Sequence, residues 1–229
     1  MIVELHVDYL TFVMNDPLQL GDAVRARGYF GKRFSDDVLL HHHYGAGFVY
    51  NYPRVQFKVI NGHLIVVGIE EGQDVLDRMK CITLVDLHRK SVSVADVHLV
   101  SQVVQVGPSA ELLPYRFVTP WLGLNQNNVA KYRRACWEDR RRLLEKTIVG
   151  NILSMCKGLG IVVERQLAVS IGWLQERQVL LKGTLMTGFI GCFSANFLLP
   201  ALFGLGKAVS RGCGTVVTDP KSGAPWSSL

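Results

Sequence analysis

The sequence predicts an α+β fold: two tandem ferredoxin-like (RRM-like) units with a C-terminal glycine-rich loop. Three observations predict it. The first hundred or so residues read strand, helix, strand, strand, helix, strand, the ferredoxin-like order. The remainder reads strand, helix, strands, with the stretch FGLGKAVSRGCG standing in the place of a second helix. At 48% hydrophobic and 19% charged residues, the 229-residue chain is globular and long enough for two domains of about 110 residues. The boundary is placed so that residues 1–108 form an N-terminal domain and 109–229 a C-terminal one. No strict sequence repeat links the halves, so the symmetry rests on element order alone.

Each element has its own warrant. MIVELHVDYLTFVM is apolar, β-rich and partly alternating, hence a strand. Pro17 suits a helix's first turn, and PLQLGDAVRARGYFGKRF has helical spacing through Leu18, Ala23 and Phe30. HHHYGAGFVYNYP reads as a loop or irregular extended piece. RVQFKVI and HLIVVGI are strands joined by Asn61-Gly62, the strongest short hairpin signal in the chain. EGQDVLDRMKCI is a short helix, and SVADVHLVSQVVQVG a strand ending at Gly107-Pro108. ELLPYRFVTPWLGL is a strand interrupted by prolines. A helix over roughly 126–158 has an apolar stripe of Val129, Tyr132, Cys136, Leu143, Ile148, Ile152 and Met155. Strands near 161–170, 178–190 and 192–199 follow, and GTVV after the glycine loop is the last.

Composition narrows the function classes. The net charge of +6 and pI near 9.1 are compatible with a polyanionic partner. Five single cysteines, with no C-x-x-C pair and no zinc-finger spacing, speak against a disulfide scaffold. The start is acidic and has no basic stretch, so no signal peptide is expected, and a reducing cytoplasm is the natural setting. Residues 183–206 carry no charge, but their glycines, Ser194, Asn196 and Pro200 suit buried strands better than a membrane span.

The glycine stretch carries two G-h-G pairs, Gly204–Gly206 and Gly212–Gly214, five residues apart, with Lys207 and Arg211 between them. With its flanking pattern it resembles the signature of the RAMP superfamily of CRISPR-associated proteins. FVTPWLGLNQNN…KYRR…LLEKTIVGNILSMCKGLGI and RGYFGKRF…HHHYGAGFVYNYPRVQFKVINGHLIVVGIEEG are similar to the two halves of the family that processes precursor CRISPR RNA. That resemblance covers nearly the whole chain. It implies a metal-independent endoribonuclease that cuts within each repeat of a long transcript and retains the product in many members. It leaves open a non-catalytic RNA-binding subunit of an interference complex.

Under that resemblance, the partner is CRISPR repeat RNA, as a hairpin or single strand. A homodimer and other CRISPR-associated proteins are further candidate partners, and no cofactor or metal is implied. Glycine amides reaching φ > 0 can point together at an anion, with Lys207 and Arg211 at the rim. The alternative is a tight turn packed against a sheet. Arg133, Arg134, Arg140 and Arg141 form a basic side of the long helix for phosphates; Glu138, Asp139 and Glu145 could instead pair with some of them.

His41, His42 and His43 stand in a row. Metal-free cleavage needs a base for the 2′-hydroxyl proton, an acid for the leaving 5′-oxygen and a cation for the phosphate charge. In an extended segment His41 and His43 face one side, so these two are the candidates, His43 the base. Tyr50, then Tyr44, could position the sugar, and Lys32 or Arg33 could hold the charge. Trp121, Trp137 and Trp173 are expected to be core or interface residues.

Overall fold

The computed structural model describes residues 1–40, 52–88, 90–181 and 183–218. They divide into two compact units. The N-terminal unit holds Glu4–Val104 and the short segment Ser210–Gly212; the C-terminal unit holds Met1–Val3, Gln105–Val209 and the described residues from Cys213 on.

The N-terminal unit has the elements β1 (Val3–Met14), α1 (Asp22–Arg33), β2 (Val55–Ile60), β3 (His63–Ile69), α2 (Gln73–Met79), β4 (Leu84–Asp86) and the first part of β5 (Ser91–Trp121). Its sheet runs β2-β3-β1-β5, with β4 added to β5. Paired strands are antiparallel, with Tyr9 opposite Val67 and Phe57 opposite Val66. The order is that of a ferredoxin-like unit. Asn61 and Gly62 turn the β2–β3 hairpin at φ 50° and 83°, both positive as a type I′ turn requires. Helices α1 and α2 lay Ala23, Ala26, Phe30, Val75, Leu76 and Met79 on Leu10, Phe12, Phe57 and Val66. Phe30 is the centre, its ring 5.6 Å from Phe12 and 5.5 Å from Phe57.

Helix α1 begins at Asp22, five residues after Pro17. The backbone of the intervening stretch is needed elsewhere. The Leu18 N–H donates to Gly62 O at 2.8 Å, and the Gln19 N–H donates to Asp22 Oδ2 at 2.9 Å. Pro17 therefore packs against the hairpin turn and does not open the helix.

The C-terminal unit uses the rest of β5, then α3 (Gln126–Arg134), α4 (Trp137–Gly158), β6 (Val169–Leu181), β7 (Thr184–Leu198) and β8 (Val216–Thr218). Here β5 pairs with β7 and β8, and β7 with β6, all antiparallel. Tyr115, Phe117, Trp121, Phe189, Phe193 and Phe197 are buried along the sheet, and Ile148, Ile152 and Met155 along α4. Phe117 stacks on Trp121 at 5.3 Å and on Phe193 at 4.8 Å.

Four element boundaries differ from the sequence reading. The two strands expected on either side of Gly107-Pro108 are one 31-residue strand. Pro120 falls in the register shift between Phe117 and Trp121 and a second shift follows Pro108, while Pro114 stays opposite Ser194. The helix expected over 126–158 breaks at Ala135-Cys136. The strand expected near 161–170 starts only at Val169. The break expected near residue 191 is absent: β7 runs through it, and the register shifts lie on its neighbours, between Ile171 and Trp173 of β6 and between Phe117 and Trp121 of β5; β6 and β7 turn next to Gly183, at φ 78°. Residues 183–206 are thus mostly strand, and no helix among the described residues is long and apolar enough to cross a membrane.

Candidate nucleic-acid interface

The glycine loop earns its glycines from packing. Gly204, Gly212 and Gly214 are buried, and Gly206 is half-buried. A Cβ on Gly214, at φ 65°, would stand 2.0 Å from Leu205 O. One on Gly206, at φ 85°, would stand 2.9 Å from both Leu122 O and Trp121 Nε1, and one on Gly204 would stand 2.5 Å from Val209 Cγ1. Gly212, at φ 88°, lies against the N-terminal unit's own Ala23 and Phe57, each 3.0 Å from where its Cβ would be. The loop's amides have protein partners: Leu205 N–H donates to Gly214 O, Lys207 N–H to Leu122 O, Cys213 N–H to Ala208 O and Gly214 N–H to Pro120 O. The glycines therefore let the loop fold tightly on itself. The turn-like alternative accounts for these four amides.

Lys207 is exposed, and its Nζ donates to Leu124 O at 3.2 Å. It lines a groove of about 690 Å³ on the C-terminal unit, together with Leu124–Asn127 and Arg133 on one side and Thr184–Thr187 on the other. Arg133 and Arg134 are exposed in the last turn of α3. The basic side read from the sequence is not uniform, because Arg140 and Arg141 are bound into the protein. Arg140 donates to Ala135 O at 3.0 Å and Arg133 O at 3.1 Å, and its guanidinium lies 5.1 Å over the Tyr132 ring. It thereby closes the carbonyl end of α3. Arg141 donates to Ile171 O at 2.7 Å and pairs with Glu145 at 3.0 Å, tying α4 to the edge of β6. Trp121 is buried, donating from Nε1 to Asn151 at 2.9 Å. Trp137 and Trp173, expected in a core or interface, are 67% and 52% exposed.

In the N-terminal unit, Lys32 and Arg33 are exposed at the C-terminal end of α1. His41, His42, His43, Tyr44 and Tyr50 lie outside the described residues. The chain enters that segment at Leu40, whose carbonyl accepts from Arg27 Nη2 at 3.3 Å. Burial, and then the charge of Arg211, lower the Arg27 pKa. Two guanidiniums thus lie within each other's field, that of Arg27 bound to Leu40. Asp22 is nearly fully buried. Burial raises its pKa, but the Gln19 N–H, Arg25 and Lys90 outweigh that and hold it below the usual carboxylate range. Sequence reasoning missed Arg27 and the groove's amides. Helical spacing from Ala23 to Arg27 was a signal for the first; nothing local signalled the second.

Two family models together match nearly the whole chain: residues 3–105 match the Cas6b N-terminal domain, and residues 107–218 the Cas6b C-terminal domain. A protein of Methanocaldococcus jannaschii, described as uncharacterized, is 37% identical over 113 residues, which is 49% of this chain and 77% of that protein. A crystal structure of Cas6b is 34% identical, with a TM-score of 0.90 over 95% of this chain and 100% of that one. A crystal structure of the CRISPR RNA processing endoribonuclease Cas6b is 32% identical, with a TM-score of 0.77 and the same coverage. A RAMP protein binding different RNA substrates, at 10% identity and a TM-score of 0.55 over 94% of this chain and 99% of that one, shares the fold.

Proposed function

The chain belongs to the Cas6b family, and from that premise we propose that it is an endoribonuclease that cuts precursor CRISPR RNA within its repeats, without a metal. The observation that carries this is the full-length similarity to the CRISPR RNA processing endoribonuclease Cas6b.

In the proposed reaction the 2′-oxygen attacks the adjacent phosphorus and the bond to the 5′-oxygen breaks. The products are a 2′,3′-cyclic phosphate and a free 5′-hydroxyl. His43 takes the 2′-hydroxyl proton and His41 delivers one to the leaving oxygen. Tyr50 positions the sugar. Lys32 or Arg33 offsets the charge on the phosphate. Lys207, Arg211, Arg133 and Arg134 hold backbone phosphates, and Gly204, Gly206, Gly212 and Gly214 act as the frame that sets Lys207 and Arg211. Arg140 and Arg141, already engaged with protein carbonyls, act indirectly by shaping the helix pair.

The test is cleavage of labelled repeat RNA by the full chain in EDTA. Cleavage with a cyclic-phosphate end is expected. His43→Ala is expected to slow it by about 10²–10⁴-fold with RNA affinity nearly unchanged. Binding without cleavage by the unaltered chain would replace the enzyme with a non-catalytic RNA-binding subunit. Lost affinity with cutting intact in His43→Ala would overturn the assigned role.

A further inference from the structure

We propose that the groove of the C-terminal unit is a pocket for one unpaired nucleotide of the RNA. The proposal rests on the reading that this chain binds RNA. It adds a place where a base, and not only a phosphate, is held.

The groove's chemistry carries the argument. Its volume of about 690 Å³ is in the range of small-ligand pockets. Its wall combines three kinds of surface that a nucleotide needs at once. Val129, Leu185 and Met186 offer an apolar face, and Leu185 is 65% exposed. Gln126 and Asn127 project side-chain amides, each both donor and acceptor, as the edge of a base requires. Asn125, by contrast, is already occupied: its Oδ1 accepts from the Asn128 N–H at 2.8 Å. Arg133 and Lys207 supply positive charge, and the groove lining contains no Asp or Glu.

The position of Lys207 is built. Its backbone N–H donates to Leu122 O at 3.1 Å and its Nζ to Leu124 O at 3.2 Å. The ammonium is therefore held at the lip with donors to spare. A base that enters such a pocket must be free of pairing, because a duplex buries both its faces and its pairing edge. An acidic peptide would use the two cations but leave the apolar wall and the amides without partners.

The probe is single-stranded U10 RNA, bound to the full chain in EDTA. Photocrosslinking at 254 nm is expected to place adducts on peptides containing residues 124–129 or 184–187. Asn127→Trp fills the groove from an exposed position and is expected to weaken U10 binding about 10-fold, the scale of one stacked base. Lys207→Ala is expected to weaken it and to make it less salt-dependent. Lys157→Ala removes an equal charge from the far end of α4 and serves as control. Crosslinks only at other peptides, or Asn127→Trp and Lys157→Ala binding U10 alike, would overturn the pocket. If repeat RNA is still cut in that case, the proposed function stands without it. If no RNA binds at all, both fall. Thermal unfolding of Asn127→Trp near that of the unaltered chain shows that a loss comes from the filled groove.

Discussion

Replacing Gly214 by alanine separates the two accounts of the glycine loop. Gly214 sits at φ 65°, where a side chain costs about 1–2 kcal/mol. Its Cβ would lie 2.0 Å from Leu205 O, a backbone atom that cannot swing aside. The loop must open, which strains or breaks the bonds from Leu205 N–H to Gly214 O and from Gly214 N–H to Pro120 O, each 2.9 Å long. Those bonds contribute about 1 kcal/mol apiece. The sum is about 3–4 kcal/mol, or roughly 6–16 °C in melting temperature for a chain of this size. Gly183→Ala is the control, because its φ is also positive, 78°, but nothing lies within 4 Å of the added Cβ; it should cost only the backbone strain. The assay is thermal unfolding followed by circular dichroism, with RNA affinity measured well below the transition. A Gly214→Ala protein that melts with the unaltered chain but has lost RNA affinity would refute the packing account and restore an amide cradle for phosphate.

Three further outcomes follow from particular contacts. Asp22 is held below its unfolded pKa, so its ion pairs stabilise the fold above that value and are lost as pH falls through the folded one. Acid unfolding followed by tryptophan fluorescence should thus begin at higher pH in Asp22→Asn than in the unaltered chain. Tyr115 is pushed up to about 12, first by burial, with the Leu199 N–H opposing; its contribution is intact below about pH 10 and should fade between there and its folded value. Tyr115→Phe leaves Phe197 O without its 2.7 Å donor and Leu199 N–H without its 3.1 Å acceptor, a loss of about 1–3 kcal/mol measurable by denaturant titration at neutral pH. Arg141→Ala should lower stability by about 1–2 kcal/mol and leave the salt dependence of RNA binding unchanged, whereas Arg134→Ala should do the reverse, read from affinities at several salt concentrations.

The first half of the molecule was legible because its signals are local. Asn61-Gly62 states a turn type through backbone freedom, and Ala23 and Phe30 state the buried face of α1 through spacing, while Leu18 lies before the helix. Gly206, Gly212 and Gly214 likewise announced positive φ. Whether that freedom served a ligand or the protein's own packing depended on atoms far away in sequence, such as Leu122 O for Gly206 and Phe57 O for Gly212.

By itself, then, the sequence determined the element order of the N-terminal half and its hairpin, since side-chain period and allowed backbone angles act over a few residues. Tertiary structure alone decided that β5 runs unbroken through Gly107-Pro108, that the long helix divides at Ala135, and which arginines face water. No proline or glycine marks that division. Arg140 reaches back to carbonyls five and seven residues away, and Arg141 to Ile171 thirty residues on. A charged side chain is claimed by whichever acceptor folding brings within hydrogen-bond reach, and that distance exists only once the chain has folded.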